Sequence, residues 1–124
     1  MPFQRLRVKT IRMPGATILV LEGRLDAATV GKLIAAVDEV KAPLVGRLVL
    51  DMGEVSDVDM AGLGGLAHAA RAARDHDRRA RLVNLQPPVR QRLTTAGLAD
   101  AFRLHEDLTD ALGDHEPPTP GTSA

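Results

Sequence analysis

The tightest constraint on how this chain can fold lies in Arg47-Leu48-Val49-Leu50-Asp51, a short aliphatic run without polar alternation. A strand of this profile is apolar toward both faces, so it needs cover on both sides and points to an α/β arrangement, helices packed over a largely parallel sheet. Met52-Gly53-Glu54-Val55-Ser56-Asp57-Val58 follows, and Gly53 with the polar residues reads as an irregular loop at the carboxyl end of that sheet. Asp59 then has the chemistry of a helix N-cap, its carboxylate accepting from free N–H groups one turn on, with Met60 as the first helical residue. Leu63, Leu66, Ala67, Ala70 and Ala73 recur at helical spacing as a narrow small-residue stripe, while His68, Arg71 and Asp75 fall on another face. Gly62, Gly64 and Gly65 in that first stretch each cost about 1 kcal/mol relative to alanine. Three together demand a reason: close approach to the backbone, or tight packing against the strand ends.

The flanking segments repeat the alternation of strand and helix. Residues 5–12 alternate polar and apolar as a half-exposed strand, Met13-Pro14-Gly15 reads as a turn, and residues 17–21 form a second strand that can pair with the first as a hairpin. Asp26 after Gly23-Arg24-Leu25 is expected to cap a helix with Val30, Leu33, Ile34, Val37 and Val40 on its buried face, stopped by Pro43. Beyond the central helix, residues 80–85 read as a strand, and Pro87-Pro88 opens a helix edged by Val89, Leu93 and Ala96 that ends at Gly97. Residues 101–104 are a candidate edge strand, and residues 106–112 a last short helix with Leu108, Ala111 and Leu112 turned inward. The folded domain is therefore expected over residues 1–112. Residues 113–124, aperiodic and proline-rich, are expected to be a disordered tail.

With 124 residues, 44% of them hydrophobic, the chain can build one core without metal or disulfide staples. Sixteen basic residues balance sixteen acidic ones and the only aromatics are Phe3 and Phe102, so neither a global positive field nor stacking platforms favour nucleic acid. The absence of cysteine removes thiol chemistry and fits a reducing, cytoplasmic setting. The longest apolar run, residues 16–21, falls far short of the ~20 residues of a membrane span, and the first residues lack a signal-peptide core. Gly62-Leu63-Gly64-Gly65-Leu66-Ala67 carries the letters of a dinucleotide fingerprint, but that fingerprint works only directly after a strand, and here a loop and a cap intervene. Asp51, Glu54, Asp57 and Asp59 could offer oxygen ligands at one end of the sheet, yet their spacing matches no calcium loop, and no metal or other cofactor is expected. The four histidines share no ligand spacing and are read as surface residues. Arg71, Arg74, Arg78, Arg79 and Arg81, interleaved with Asp75 and Asp77, are read as a solvated face. Ser56 lacks a nucleophile elbow, and no nucleophile and base converge, so an enzyme is not expected.

Gly23-Arg24-Leu25-Asp26, Leu48-Val49-Leu50-Asp51 with Val55 and Asp59-Met60-Ala61-Gly62-Leu63-Gly64, then Pro88-Val89-Arg90-Gln91-Arg92-Leu93 with Ala96-Gly97-Leu98 and Phe102, occur in an order that resembles a STAS domain of the bacterial anti-sigma factor antagonist type, over about residues 5–112. The resemblance implies a single STAS-like domain: a mixed sheet of four to five strands with about four helices packed mainly on one side. It implies an antagonist that sequesters an anti-sigma factor, a serine kinase or a degenerate relative of one, through partner switching, with no direct nucleic-acid or membrane role and with homodimerisation left open. The implied contact residues are Asp26, Ser56, Asp57, Asp59, Met60, Ala61, Gly62 and Leu63. In that family the helix opens with a phosphoacceptor serine; Met60 stands at the matching position and Ala61 follows it, so no phosphorylation is expected there. The alternative is a STAS sensor or scaffold that binds a small ligand or assembles with like domains.

Overall fold

The computed structural model describes residues 5–41 and 46–113. Pro43 and residues 114–124, where a helix stop and a disordered tail are expected, lie outside them. Among the described residues the chain forms β1 (Arg7–Met13), β2 (Ala16–Leu25), α1 (Val30–Val40), β3 (Arg47–Val58), α2 (Met60–Arg74), β4 (Ala80–Val83), α3 (Pro87–Thr95), a 3-10 turn (Ala99–Ala101), β5 (Phe102–His105) and α4 (Leu108–Gly113). The sheet order is β1-β2-β3-β4-β5; β1 pairs antiparallel with β2 as a hairpin, and every later pair is parallel. The result is a single α/β domain with a mixed five-stranded sheet and four α-helices, as the resemblance implies.

The largest departure concerns residues 52–58. They are not a loop but the second half of β3, paired with β2 through Leu25↔Val58. Two irregularities explain why strand alternation is invisible there. Between Val20↔Asp51 and Glu22↔Glu54, and again between Gly23↔Val55 and Arg24↔Asp57, β3 advances one residue more than β2. Each β-bulge shifts the inward face by one position. Toward the main core the buried series therefore runs Leu48, Leu50, Met52, then Val55, then Val58, and a period-two test fails at both steps.

One sheet face carries most of the core. Leu19, Leu21, Leu25, Leu48, Leu50, Met52 and Leu82 pack there against Leu33 and Val37 of α1, Leu66, Ala69 and Ala73 of α2, and Val89 and Leu93 of α3. The buried side of α2 is wider than its anticipated stripe: Ala69 and Ala72 are also buried and Ala67 only partly so, because α1 flanks this helix while the sheet lies beneath it. His68 of α2 bonds Asp38 of α1 at 2.7 Å; that bond, then the one from Lys41, holds the Asp38 carboxyl below its usual range. α3 ends in a Schellman pattern, Leu98 N to Leu93 O at 2.9 Å and Gly97 N to Thr94 O at 3.1 Å, with Gly97 at φ +75° where glycine carries no Cβ penalty.

The second face is covered by α4, where Ile18, Val49, Val83 and Ala111 form a smaller cluster with Leu108 and Leu112 against it. Two expectations fail on this side. Arg81 is wholly buried rather than solvated: its guanidinium donates to the Ala111 carbonyl at 3.0 Å and lies 3.2 Å from His105 Nε2. His105 is likewise nearly buried, with Nδ1 2.9 Å from Asp110. A charge in a short strand between two others can leave water only when such partners receive it.

Candidate functional site

The candidate site is the first turn of α2 with the β2–α1 loop beside it. Asp59 is the N-cap as expected. Its backbone is extended (φ −100°, ψ −171°) and Oδ1 accepts from Gly62 N at 2.9 Å. Its second oxygen accepts from Ala27 N at 3.3 Å, and its own N–H donates to Leu25 O at 3.2 Å. One side chain thus ends a strand, starts a helix and ties down the neighbouring loop. Asp26 does not cap α1, as the sequence suggests; Thr29 occupies that position. Asp26 instead folds the loop, Oδ1 accepting from Ala28 N at 3.0 Å and Thr29 N at 3.1 Å, while the Thr29 hydroxyl donates to Arg24 O at 2.7 Å. Both aspartates therefore shape backbone at one end of the sheet.

The glycines divide by environment. A Cβ on Gly62 would overlap the Leu25 carbonyl oxygen and one on Gly65 would overlap Val30, so both record the close approach of α2 to β2 and α1. A Cβ on Gly64 would meet nothing within 4 Å. Packing accounts for the first two and leaves Gly64 unexplained.

Met60 is the extreme case of exposure. It is 80% exposed, against 40% for Ile11 and 42% for Met13, the other exposed large apolar side chains among the described residues. With Leu63 it forms one wall of a groove of about 620 Å³ whose other wall is α3, through Pro88, Gln91, Arg92, Thr95 and Ala96. Those α3 residues were not anticipated as part of a site, although Pro88, Gln91 and Arg92 belong to the motif that carries the resemblance. Gln86 Nε2 donates to Gly53 O at 2.9 Å, anchoring the start of α3 on β3. Asp57 lies 3.7 Å from Arg24 and 3.4 Å from Arg92, joining β2, β3 and α3 along the rim. Such exposed pairs contribute ~0–1 kcal/mol each and orient more than they stabilise. Ser56 is exposed on β3, Ala61 half-buried, and Gly62 and Leu63 buried.

The four acids do not converge. Asp51 Oδ1 accepts from Gly53 N and Asn84 Nδ2, both at 3.1 Å, Asp57 faces arginines, Asp59 caps α2 and Glu54 is exposed. Among the described residues no three acidic or histidine side chains gather as a metal site. No described helix is long and apolar enough to cross a membrane.

These elements make a small α/β domain with a mixed sheet, three helices on one face and an exposed apolar residue at a helix N-terminus beside a groove. The STAS domain family model matches residues 7–111, and the chain belongs to that family. A comparison with curated protein sequences gives no significant match. Similar folds include a crystal structure described as a putative anti-sigma factor antagonist from Thermotoga maritima (TM-score 0.78, 16% identity, 86% of this chain and 92% of that one). An anti-sigma factor antagonist from Mycobacterium paratuberculosis is similar at TM-score 0.74 and 24% identity, over 87% of this chain and 92% of that one. A sulfate transporter family protein from Wolinella succinogenes also shares the fold (TM-score 0.71, 17% identity, 83% and 86%), so the fold spans more than one function.

Proposed function

We propose that this chain is a non-enzymatic binding module of the anti-sigma factor antagonist type, acting in the cytoplasm on an anti-sigma factor of the serine kinase kind or a degenerate relative. The observation that carries this reading is Met60, 80% exposed at the first position of α2 beside an apolar groove. Leaving a methionine in water at such a point forgoes burial worth roughly 1.5–3 kcal/mol, a cost that docking of a partner recovers. The proposed contact surface comprises Asp26, Ser56, Asp57, Asp59, Met60, Ala61, Gly62 and Leu63, with Asp26, Asp59 and Gly62 acting through backbone shape and Met60 as the apolar anchor. The α3 wall adds Gln91 and Arg92. Neither nucleic acid nor membrane enters this function.

Met60→Asp tests it. An acid at a helix N-terminus is favourable by about 0.3–1 kcal/mol, so the variant should melt at or above the parent temperature. Affinity for the cognate anti-sigma factor should fall at least about tenfold, roughly 1.4 kcal/mol, because a charge is buried without a counterion. Calorimetric titration with unchanged affinity removes Met60 from the interface. A second reading, a STAS module that takes a small ligand, rests on the groove volume, which lies within the range of ligand pockets. It predicts saturable small-molecule binding that Ala96→Trp abolishes while anti-sigma factor binding is absent from the parent protein.

A further inference from the structure

Besides Met60, the exposed large apolar side chains among the described residues are Ile11 and Met13. They are two positions apart on β1, the outer strand of the sheet, so they share a face. That face is the one away from α1–α3: Val8 packs on the main core, whereas Ile11 pairs with Ile18 of the α4-side cluster. Arg7 and Lys9 continue the same row, and residues 5–13 hold Arg5, Arg7, Lys9 and Arg12 with no acid, in a chain of zero formal charge. The nearest opposing acid across the hairpin is Glu22, which pairs with Arg7. As an edge strand, β1 directs every second N–H and C=O pair away from the sheet.

Cations on an edge are a common guard against self-pairing. Here the row is half cationic and half apolar, and a guard alone does not account for Ile11 and Met13 in water. We infer that β1 is a second docking surface, distinct from the Met60 groove, that accepts an extended segment of a partner protein by strand addition, with acidic side chains set against Arg7 and Lys9 and apolar ones against Ile11 and Met13. Backbone bonds supply the pairing, and the charge and apolar pattern selects the strand and its register. A second copy of this chain is disfavoured, because β1 against β1 sets side by side two strands that each carry Arg7, Lys9 and Arg12 and no acid.

The probe is a synthetic peptide of alternating Glu-Thr and Val-Thr dipeptides, offered in both orders and titrated into the full chain at low salt while backbone amides are followed by NMR. Expected are shifts and slowed amide exchange confined to residues 7–13 and their β2 partners, weakening as salt rises. Arg7→Glu with Lys9→Glu should reduce affinity at least tenfold with the fold retained. A peptide carrying lysine for glutamate leaves the protein unaltered and should not bind. Absence of β1 shifts, shifts mapping elsewhere, equal binding of the lysine peptide, or equal binding by the charge-reversed chain overturns the inference. Concentration-dependent dimerisation abolished by the charge reversal would assign the edge to a second copy. Displacement of β1 resonances on deleting residues 114–124 would assign it to the chain's own C-terminal segment.

Discussion

Gly62, Gly64 and Gly65 show how differently one residue type is used within a single turn. Gly62 abuts the Leu25 carbonyl, Gly65 abuts Val30, and Gly64 abuts nothing. Gly62→Ala should cost roughly 1–3 kcal/mol, since backbone must yield to a new methyl. Gly64→Ala should stabilise by about 0.4–1 kcal/mol through the loss of chain freedom in the unfolded state. Urea denaturation of both variants checks the pair, and equal effects would contradict the packing account. Met60 and Ala61 carry a second expectation at this scale. Phosphorylation would add about −1.5 to −2 charges, yet neither side chain has a hydroxyl to receive it. Incubation with ATP and a competent anti-sigma kinase should therefore leave residues 56–65 unlabelled by mass spectrometry; stoichiometric phosphate on Ser56 would show a displaced acceptor.

At the scale of elements, the join between β3 and α2 depends on Asp59, which bonds both Gly62 N and Ala27 N. Asp59→Ala should lower stability by about 1 kcal/mol, the typical worth of an N-cap. Asp59→Asn keeps an acceptor and should recover most of it, as paired thermal melts would show. A neutral Asp59→Ala would mean that water replaces the cap without cost. The α2 start was legible because capping is local chemistry: an acceptor side chain before a helical run reads the same in any context. Asp26 misled for the same reason. Its carboxylate does accept backbone N–H groups, but they belong to Ala28 and Thr29 in a tight loop, and α1 begins after Thr29. The carboxyl half of β3 was illegible because its bulges break the alternation by which a strand is recognised.

On the scale of the whole molecule, the α4 face carries what the sequence concealed. Arg81 and His105 read as solvent-directed, and they are buried because β4 and β5 are adjacent and α4 folds back over them. The C-terminal segment yields a test of the domain boundary. From its proline-rich composition, removal of residues 114–124 should leave the melting temperature and anti-sigma factor affinity unchanged. A fall of several degrees by calorimetry would make that segment part of the domain.

The sequence by itself determined the alternation of strands and helices, the α2 cap, the Gly97 stop of α3 and the unusual pairing of Met60 with Ala61, because periodicity, capping and turn chemistry act within a few neighbouring residues. Only the tertiary structure decided that residues 52–58 continue β3, that Arg81 is buried, and that α3 supplies the far wall of the groove beside Met60. Each of those depends on which segments meet across the sheet. Periodicity records that a face is buried, but not which distant segment covers it.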